Sequence, residues 1–200
     1  TGIGDLMRYD MQGNRQTIQK DVYGVNWLNY DGSAYVCLSQ NADSITYDYL
    51  IVSNDRSVTI EGVYSASISD DRSVIYLLAD YNAELELGTL YSLSVANLQK
   101  RELAKNVAFI NPGGITDLTQ GILYSTPGEM SGRYDINYVT SSGQIYTLIS
   151  DGFEQSLYTI YLNTQQQTGY IMMHGVSADR HTLHYVEWSN GRIDDRKLDE

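Results

Sequence analysis

The sequence predicts an all-β protein, a β-propeller of four-stranded antiparallel blades with about four and a half blades, or 18 strands, in this chain. Three observations support this prediction. Alternating apolar and polar segments flank short polar turns, these hairpins recur at an even spacing, and no segment carries apolar side chains at helical spacing over 11 or more residues.

One hairpin pattern occurs five times along the chain. Each copy has an alternating run rich in apolar residues, a turn that holds Gly, Asn or Asp, and a second alternating run. The turns fall at residues 13, 55, 97, 143 and 191, so the spacings are 42, 42, 46 and 48 residues. For strands, a period in the forties indicates propeller blades.

A second hairpin lies between successive copies of the first. Its occurrences run from Val25 to Cys37, from Tyr64 to Leu78, from Val107 to Tyr124 and from Leu157 to Met173. With this hairpin lettered AB and the first lettered CD, the chain reads CD-ABCD-ABCD-ABCD-ABCD. The predicted repeats lie near 1–21, 22–62, 63–105, 106–151 and 152–200, in a single propeller domain or propeller fragment.

The unpaired CD hairpin at the start bears on how the propeller closes. A propeller avoids bare strand edges, so we expect this chain to be part of a longer propeller. A chain that closes in an unusual way is the alternative. A β-sandwich is a further possibility, which the even period disfavours.

Composition excludes several function classes. The chain has 13 Lys plus Arg against 25 Asp plus Glu, and the net charge of −12 disfavours binding to nucleic acid or anionic membranes. The sequence contains no run of 18 apolar residues, the length that a membrane-spanning helix needs. The single cysteine, Cys37, lies in an apolar run, which indicates a buried thiol and no internal disulfide.

Turn motifs carry a family resemblance. Ser69-Asp70-Asp71-Arg72 before Val74-Ile75-Tyr76, and Tyr30-Asp31-Gly32-Ser33 before Ala34-Tyr35, resemble the turn and aromatic-ended strand of TolB-like and WD40-like bacterial propeller repeats. Ser177-Ala178-Asp179-Arg180 before Leu183 is a third such unit, although it falls at a B–C connection. The composition, rich in Tyr and poor in Lys, resembles that of extracytoplasmic propellers of Gram-positive bacteria. The resemblance implies a secreted or surface module that holds a partner or accompanies an enzyme domain.

Catalytic and metal-binding patterns find little support. The sequence contains no Gly-x-Ser-x-Gly elbow, no P-loop and no dinucleotide fingerprint. His174 and His181 could converge across one loop with Asp179 as a third ligand, but solvated loop histidines are the simpler interpretation. Glu84 and Glu86 would need an opposing carboxylate to act as glycosidase acids. We therefore expect no enzyme activity, no metal and no cofactor.

The longer connections predict a recognition surface. B–C and D–A connections emerge at one end of a propeller, and loops on a rigid scaffold concentrate binding residues. The candidate ligand-binding residues of this long-loop face are Asp43, Asp80, Tyr81, Glu84, Glu86, Asp151, His174 and Asp179. An ordinary solvated loop face is the competing interpretation.

Three functions remain open at this point. We expect a non-catalytic extracytoplasmic module that binds a protein, peptide or glycan through the long-loop face. The alternative is an accessory propeller of a larger secreted hydrolase, a peptidase or glycosidase, whose catalytic domain is not in this chain. A complete propeller enzyme that uses loop carboxylates is the third possibility.

Overall fold

The computed structural model describes residues 3–40, 45–111, 114–115, 119–152, 158–163, 165–174, 181–188 and 194–197. This described part contains nineteen β-strands and no helix. The all-β prediction is therefore confirmed. The described residues include no helix that could cross a membrane.

The strands form five sheets, numbered here in chain order. Sheet 1 consists of β1 (Gly4–Tyr9) and β2 (Arg15–Val22). Sheet 2 consists of β3 (Gly24–Trp27), β4 (Ala34–Gln40), β5 (Tyr47–Ser53) and β6 (Arg56–Val63). Sheet 3 consists of β7 (Ser65–Ile68), β8 (Val74–Asn82), β9 (Leu87–Ser94) and β10 (Lys100–Val107).

The remaining strands belong to sheets 4 and 5. Sheet 4 consists of β11 (Phe109–Ile110), β13 (Gly121–Pro127), β14 (Tyr134–Thr140) and β15 (Ile145–Gly152). Sheet 5 consists of β12 (Gly114–Ile115), β16 (Tyr158–Asn163), β17 (Thr168–His174), β18 (His181–Glu187) and β19 (Asp194–Lys197).

Neighbouring strands within each sheet follow the predicted A-B-C-D frame. Sheets 2, 3 and 4 each contain four strands in chain order, all antiparallel, and sheet 1 is the predicted CD pair alone. Sheet 5 differs because β12 leaves the A–B connection of sheet 4 and pairs in parallel with β16, as a fifth strand. The predicted blades are thus present, with one short strand more than the 18 predicted.

Alternating side chains on the central strands build a core between adjacent sheets. On β8, Ile75 and Leu77 pack against sheet 2, whereas Tyr76 and Leu78 pack against sheet 4. All four are at most 1% exposed, because β8 has a sheet on each side. Burial of each such side chain stabilises the fold by about 1.5–3 kcal/mol. The two faces of β8 thus belong to two apolar clusters, and a third cluster, which includes Trp188, joins sheets 4 and 5.

The connections differ strongly in length. Sheets 1 to 4 follow one another through single residues, which are Tyr23, Tyr64 and Ala108. The last strand of each of sheets 1, 2 and 3 therefore leads almost directly into the first strand of the next sheet. The D–A and B–C connections emerge at the same end of the sheets, and the B–C loops are the longer of the two kinds.

The predicted burial of Cys37 is confirmed. Its side chain is fully buried in β4, and burial raises the pKa of the thiol to about 11. A thiol with a raised pKa is a poor nucleophile at neutral pH. Cys37 therefore serves as a small apolar side chain of the core.

Candidate functional site

The predicted long-loop face is only partly visible. Asp43 and Asp179 lie outside the described residues. His174 ends β17, and the strand register pairs its backbone with that of His181 on β18. The described residues contain no group of three or more His, Cys, Asp or Glu side chains that could hold a metal ion.

Asp80 forms a hydrogen bond within the chain. It has a left-handed backbone, with φ of 50°, and its carboxylate accepts a hydrogen bond from the Tyr91 hydroxyl at 2.5 Å. This bond, followed by burial, raises the pKa of Tyr91 to about 12. The Lys100 ammonium lies 4.2 Å from the centre of the same ring. Asp80 thus helps to position Tyr91.

Asp151 forms hydrogen bonds to a neighbouring loop. Its Oδ1 accepts a hydrogen bond from the Met130 N–H at 3.1 Å, and its carbonyl oxygen accepts one from Arg133 Nη1 at 3.0 Å. Both partners belong to the loop between β13 and β14. Asp151 therefore holds this loop against the end of β15.

Tyr81, Glu84 and Glu86 lie together at the end of sheet 3. The Tyr81 ring stacks on Tyr64, with a centroid distance of 3.9 Å and an interplanar angle of 4°. Burial, then Tyr64 and Glu86, raise the pKa of Tyr81 to about 12. Glu84 and Glu86 are exposed to solvent. Of the predicted residues, Tyr81 and Glu86 are the pair that the structure brings together.

A cleft of about 650 Å³ lies at the opposite end of the sheets, where the A–B turns emerge. We call it the aromatic cleft. Its lining residues are Val25, Asn26 and Trp27 of β3, Asn29, Tyr30, Asp31 and Gly32 of the β3–β4 turn, and Arg72 of the β7–β8 turn. This volume lies in the range of small-ligand sites in proteins.

Two equivalent turns form the walls of the aromatic cleft. In the β3–β4 turn, Asp31 Oδ1 accepts a hydrogen bond from the Ser33 N–H at 2.8 Å. In the β7–β8 turn, Asp71 Oδ1 accepts the equivalent bond from the Ser73 N–H at 3.0 Å. These bonds lower the pKa of both carboxyl groups. The following residue in each turn is left-handed, with φ of 75° at Gly32 and 59° at Arg72.

Aromatic side chains project into solvent at the aromatic cleft. Trp27 is 50% exposed and its ring meets that of Tyr35 edge-on at 5.5 Å, while Tyr30 is completely exposed. The Arg72 guanidinium lies 5.4 Å from the centre of the Tyr30 ring, and its Nη1 donates to the Trp27 carbonyl at 3.4 Å. The arrangement offers flat apolar surface with polar groups around it, which suits binding.

The aromatic cleft was missed in the sequence because no local motif marks it. Trp27 lies at the end of β3 and Arg72 lies in the β7–β8 turn of the next sheet, 45 residues further along the chain. Both residues lie at the A–B turn end of their sheets, and they meet across the boundary between the two sheets. Alignment of the two Asp-containing turns, followed by a search for aromatic residues beside them, would have identified Trp27 and Tyr30.

No known protein family matches the sequence, and no curated protein matches it. Solved structures do match in fold. The chain is similar to dipeptidyl peptidase 4 of Porphyromonas gingivalis, with a TM-score of 0.56 and 12% identity, over 94% of this chain and 35% of that one. It is similar to the β-propeller domain of the trilobed protease from Pyrococcus furiosus, with a TM-score of 0.52 and 12% identity, over 84% of this chain and 53% of that one.

A putative TolB from Agrobacterium tumefaciens is also similar, with a TM-score of 0.44 and 10% identity, over 99% of this chain and 76% of that one. The chain thus spans about a third of the dipeptidyl peptidase and about half of the trilobed protease domain. At 12% identity, the likeness to the dipeptidyl peptidase and to the trilobed protease domain concerns the fold, and the likeness to the latter confirms the β-propeller prediction. The resemblance to propellers of Gram-positive bacteria stays a prediction.

Proposed function

We propose that this chain is a non-catalytic β-propeller module that binds a protein, peptide or glycan, and that the aromatic cleft is a contact site for that ligand. The observation that carries the proposal is the exposure of Trp27 and Tyr30 beside Arg72 at one cleft. Trp, Tyr and Arg are the side chains that dominate the energetics of protein binding sites.

Rigidity of the surrounding backbone supports the same proposal. Hydrogen bonds from the Ser33 and Ser73 N–H groups to the Asp31 and Asp71 carboxylates hold both turn walls, and Trp27 belongs to a strand. A preformed site loses little conformational entropy when a ligand binds. The exposed half of the Trp27 ring offers apolar area that a ligand can cover at about 25 cal/mol per Å².

The long-loop face remains a second candidate surface for the same function. Glu86 is exposed near Tyr81, whose ring stacks on Tyr64, and Glu84 is exposed in the same connection. Carboxylates next to aromatic rings suit a basic segment of a partner protein. The proposal includes a location outside the cytoplasm, as the composition and the turn resemblance indicate.

An accessory role in a larger secreted hydrolase is the alternative. Two of the solved structures with this fold are named as a dipeptidyl peptidase and a protease. In this role the propeller would position or select substrate for a peptidase or glycosidase domain. Sequencing the complete gene decides between the two, because a hydrolase domain in the same reading frame would favour the accessory role.

A binding screen with matched variants tests the main proposal. The protein is applied to peptide and glycan arrays as wild type, as the Trp27→Ala/Tyr30→Ala double variant, and as Tyr161→Ala, which removes a tyrosine that is 60% exposed elsewhere. We expect the double variant to lose at least about tenfold in affinity for the selected ligand, and Tyr161→Ala to bind as wild type. Equal affinity of all three proteins, or turnover of the bound ligand, would contradict the proposal.

A further inference from the structure

The first strand of sheet 2 directs hydrogen-bonding groups away from its sheet. β3 is the edge strand in the order β3-β4-β5-β6, and it pairs with β4 in the register Asn26↔Val36. In the same register, the Leu28 N–H donates to the Ala34 carbonyl at 2.9 Å. Since bonded residues alternate along an antiparallel strand, the N–H and C=O groups of Val25 and Trp27 point away from β4.

A hydrogen bond at the aromatic cleft confirms that the Trp27 carbonyl group points away from β4. Arg72 Nη1, which comes from the neighbouring sheet, donates to the Trp27 carbonyl oxygen. The distance of 3.4 Å exceeds the usual range of about 2.7–3.2 Å, so this contact is weak. A stronger donor, such as a peptide N–H, could therefore replace it.

The aromatic cleft runs along this same edge. Val25, Asn26 and Trp27 all line it, although successive side chains on a strand point to opposite faces of the sheet. Three consecutive residues can line one cleft only if the backbone edge itself forms part of the wall. The cleft therefore presents main-chain donors and acceptors together with the rings of Trp27 and Tyr30.

Sheet 5 already carries an added strand at the corresponding position. β16 is the A strand of sheet 5, as β3 is of sheet 2, and β12 pairs with its outer edge in the register Gly114↔Ile160 and Ile115↔Tyr161. A segment from elsewhere in the chain thus extends this sheet by main-chain pairing. The A-strand edge of sheet 5 therefore pairs with an extended segment of two residues.

We infer that the ligand of the aromatic cleft is an extended peptide that pairs with the free edge of β3 as an additional strand, and this inference rests on the proposed binding function. Strand addition to an exposed sheet edge is a general mode of peptide recognition. Trp27 and Tyr30 receive an apolar side chain of the peptide. The net charge of −12 selects against acidic peptides.

Backbone methylation tests the inference directly. Dodecapeptides are selected from a random phage library on the full chain, and the best one is synthesised with N-methyl groups on one alternate set of residues or on the other. We expect one set to lower affinity at least about tenfold and the other set less than about threefold, because only alternate N–H groups face β3. Equal effects of the two sets would overturn strand pairing.

A variant of the protein provides the second arm. Val25→Pro removes an N–H that points away from β4, a position where an edge strand tolerates proline. We expect its melting temperature to stay close to that of wild type while the selected peptide binds at least about tenfold more weakly. Should Val25→Pro unfold, the methylated peptides still decide the question on the wild-type protein.

A glycan array separates failure of the inference from failure of the proposed function. Binding of a glycan that Trp27→Ala abolishes, with no peptide selected, would overturn strand pairing and leave the binding module intact. In a second case, a selected peptide binds the Trp27→Ala variant more weakly while both methylated forms bind the wild-type protein as tightly as the unmethylated peptide does. That result would also overturn strand pairing and leave the binding module intact. Absence of any ligand in both screens would contradict both proposals.

Discussion

The side chain of Asp135 holds the main chain of Asp151, since Asp135 Oδ1 accepts a hydrogen bond from the Asp151 N–H at 2.9 Å. The acceptor is the second residue of β14, and the donor has a left-handed backbone near the end of β15, with φ of 49°. The same bond recurs in sheets 1 and 2, from Asp21 to Asp5 at 3.4 Å and from Gly62 to Asp48 at 3.1 Å. A repeated aspartate thus fixes the bulge where one sheet ends and the next begins.

Removal of this carboxylate should destabilise the fold. Asp135→Ala leaves the Asp151 N–H without its acceptor, and we expect the free energy of unfolding to fall by about 1–2 kcal/mol. Asp135→Asn retains an oxygen acceptor and should lose clearly less. Denaturant titration of the three proteins measures the difference. Equal stability of wild type and Asp135→Ala would mean that the bulge is held by strand pairing alone.

A glycine at a C–D turn affects a contact between sheets. Gly143 has φ of 89°, and a Cβ there would lie next to the Arg101 guanidinium, which donates to the Ser142 carbonyl at 3.1 Å. Gly143→Val should therefore combine backbone strain of at least about 1–2 kcal/mol with displacement of Arg101. Thermal unfolding measures the loss of stability.

Gly132→Val is the matched control for this experiment. Gly132 has φ of 75°, and nothing lies within 4 Å of a Cβ at that position, so only the backbone strain applies. We expect Gly143→Val to lower the melting temperature further than Gly132→Val does. The same loss in both variants would indicate that the Arg101 contact adds nothing to stability. The equivalent glycine of the last hairpin, Gly191, lies outside the described residues.

Sheet boundaries could be predicted from the sequence because they depend on local chemistry. Turns with Gly, Asn or Asp between alternating runs mark every hairpin, and the period near 45 residues groups the hairpins into blades. The added strand β12 could not be predicted. Its two residues, Gly114 and Ile115, carry no alternating pattern, and their partner Ile160 lies more than 40 residues away.

The candidate sites were harder to predict than the fold for a related reason. Acidic residues in long loops suggested ligand binding, but Asp80 and Asp151 make hydrogen bonds that serve the fold. Both have a left-handed backbone, which Asp tolerates better than most residues. Sequence alone does not distinguish an aspartate that serves a left-handed backbone position from an aspartate whose charge binds a ligand. Trp27 and Arg72 meet only through the packing of adjacent sheets.

Asp71 should make stability depend on pH. Hydrogen bonds from the Ser73 N–H, the Ser69 hydroxyl and the Ser73 hydroxyl lower the pKa of its carboxyl group. A carboxyl with a lowered pKa in the folded state stabilises the fold above its unfolded pKa of about 3.9, and this contribution is lost as the pH falls through the folded pKa. The effect stays below about 1 kcal/mol because the side chain lies largely in solvent.

Asp71→Asn isolates this contribution. The amide oxygen can still accept hydrogen bonds, but the side chain no longer titrates. We expect wild type to exceed Asp71→Asn in unfolding free energy at pH 7, and the difference to shrink as the pH is lowered below about 4. Denaturant titrations at several pH values measure it. A difference that is constant with pH would indicate that the turn does not depend on the charge of Asp71.

The long-loop face makes a prediction that overall charge alone does not. Glu84 lies in the β8–β9 connection of the long-loop face, whereas Asp70 lies in the β7–β8 turn at the opposite end of sheet 3, and both are exposed. Glu84→Lys and Asp70→Lys each reduce the net negative charge by two, from −12 to −10. If the face attracts basic segments locally, Glu84→Lys should weaken binding of a deca-lysine peptide in about 0.1 M salt at least about threefold more than Asp70→Lys. Fluorescence anisotropy of a labelled peptide measures both affinities.

Charges separated by more than about 10 Å are screened in moderate salt. Equal effects of the two substitutions would therefore mean that the peptide responds to the total charge and that this face has no role of its own.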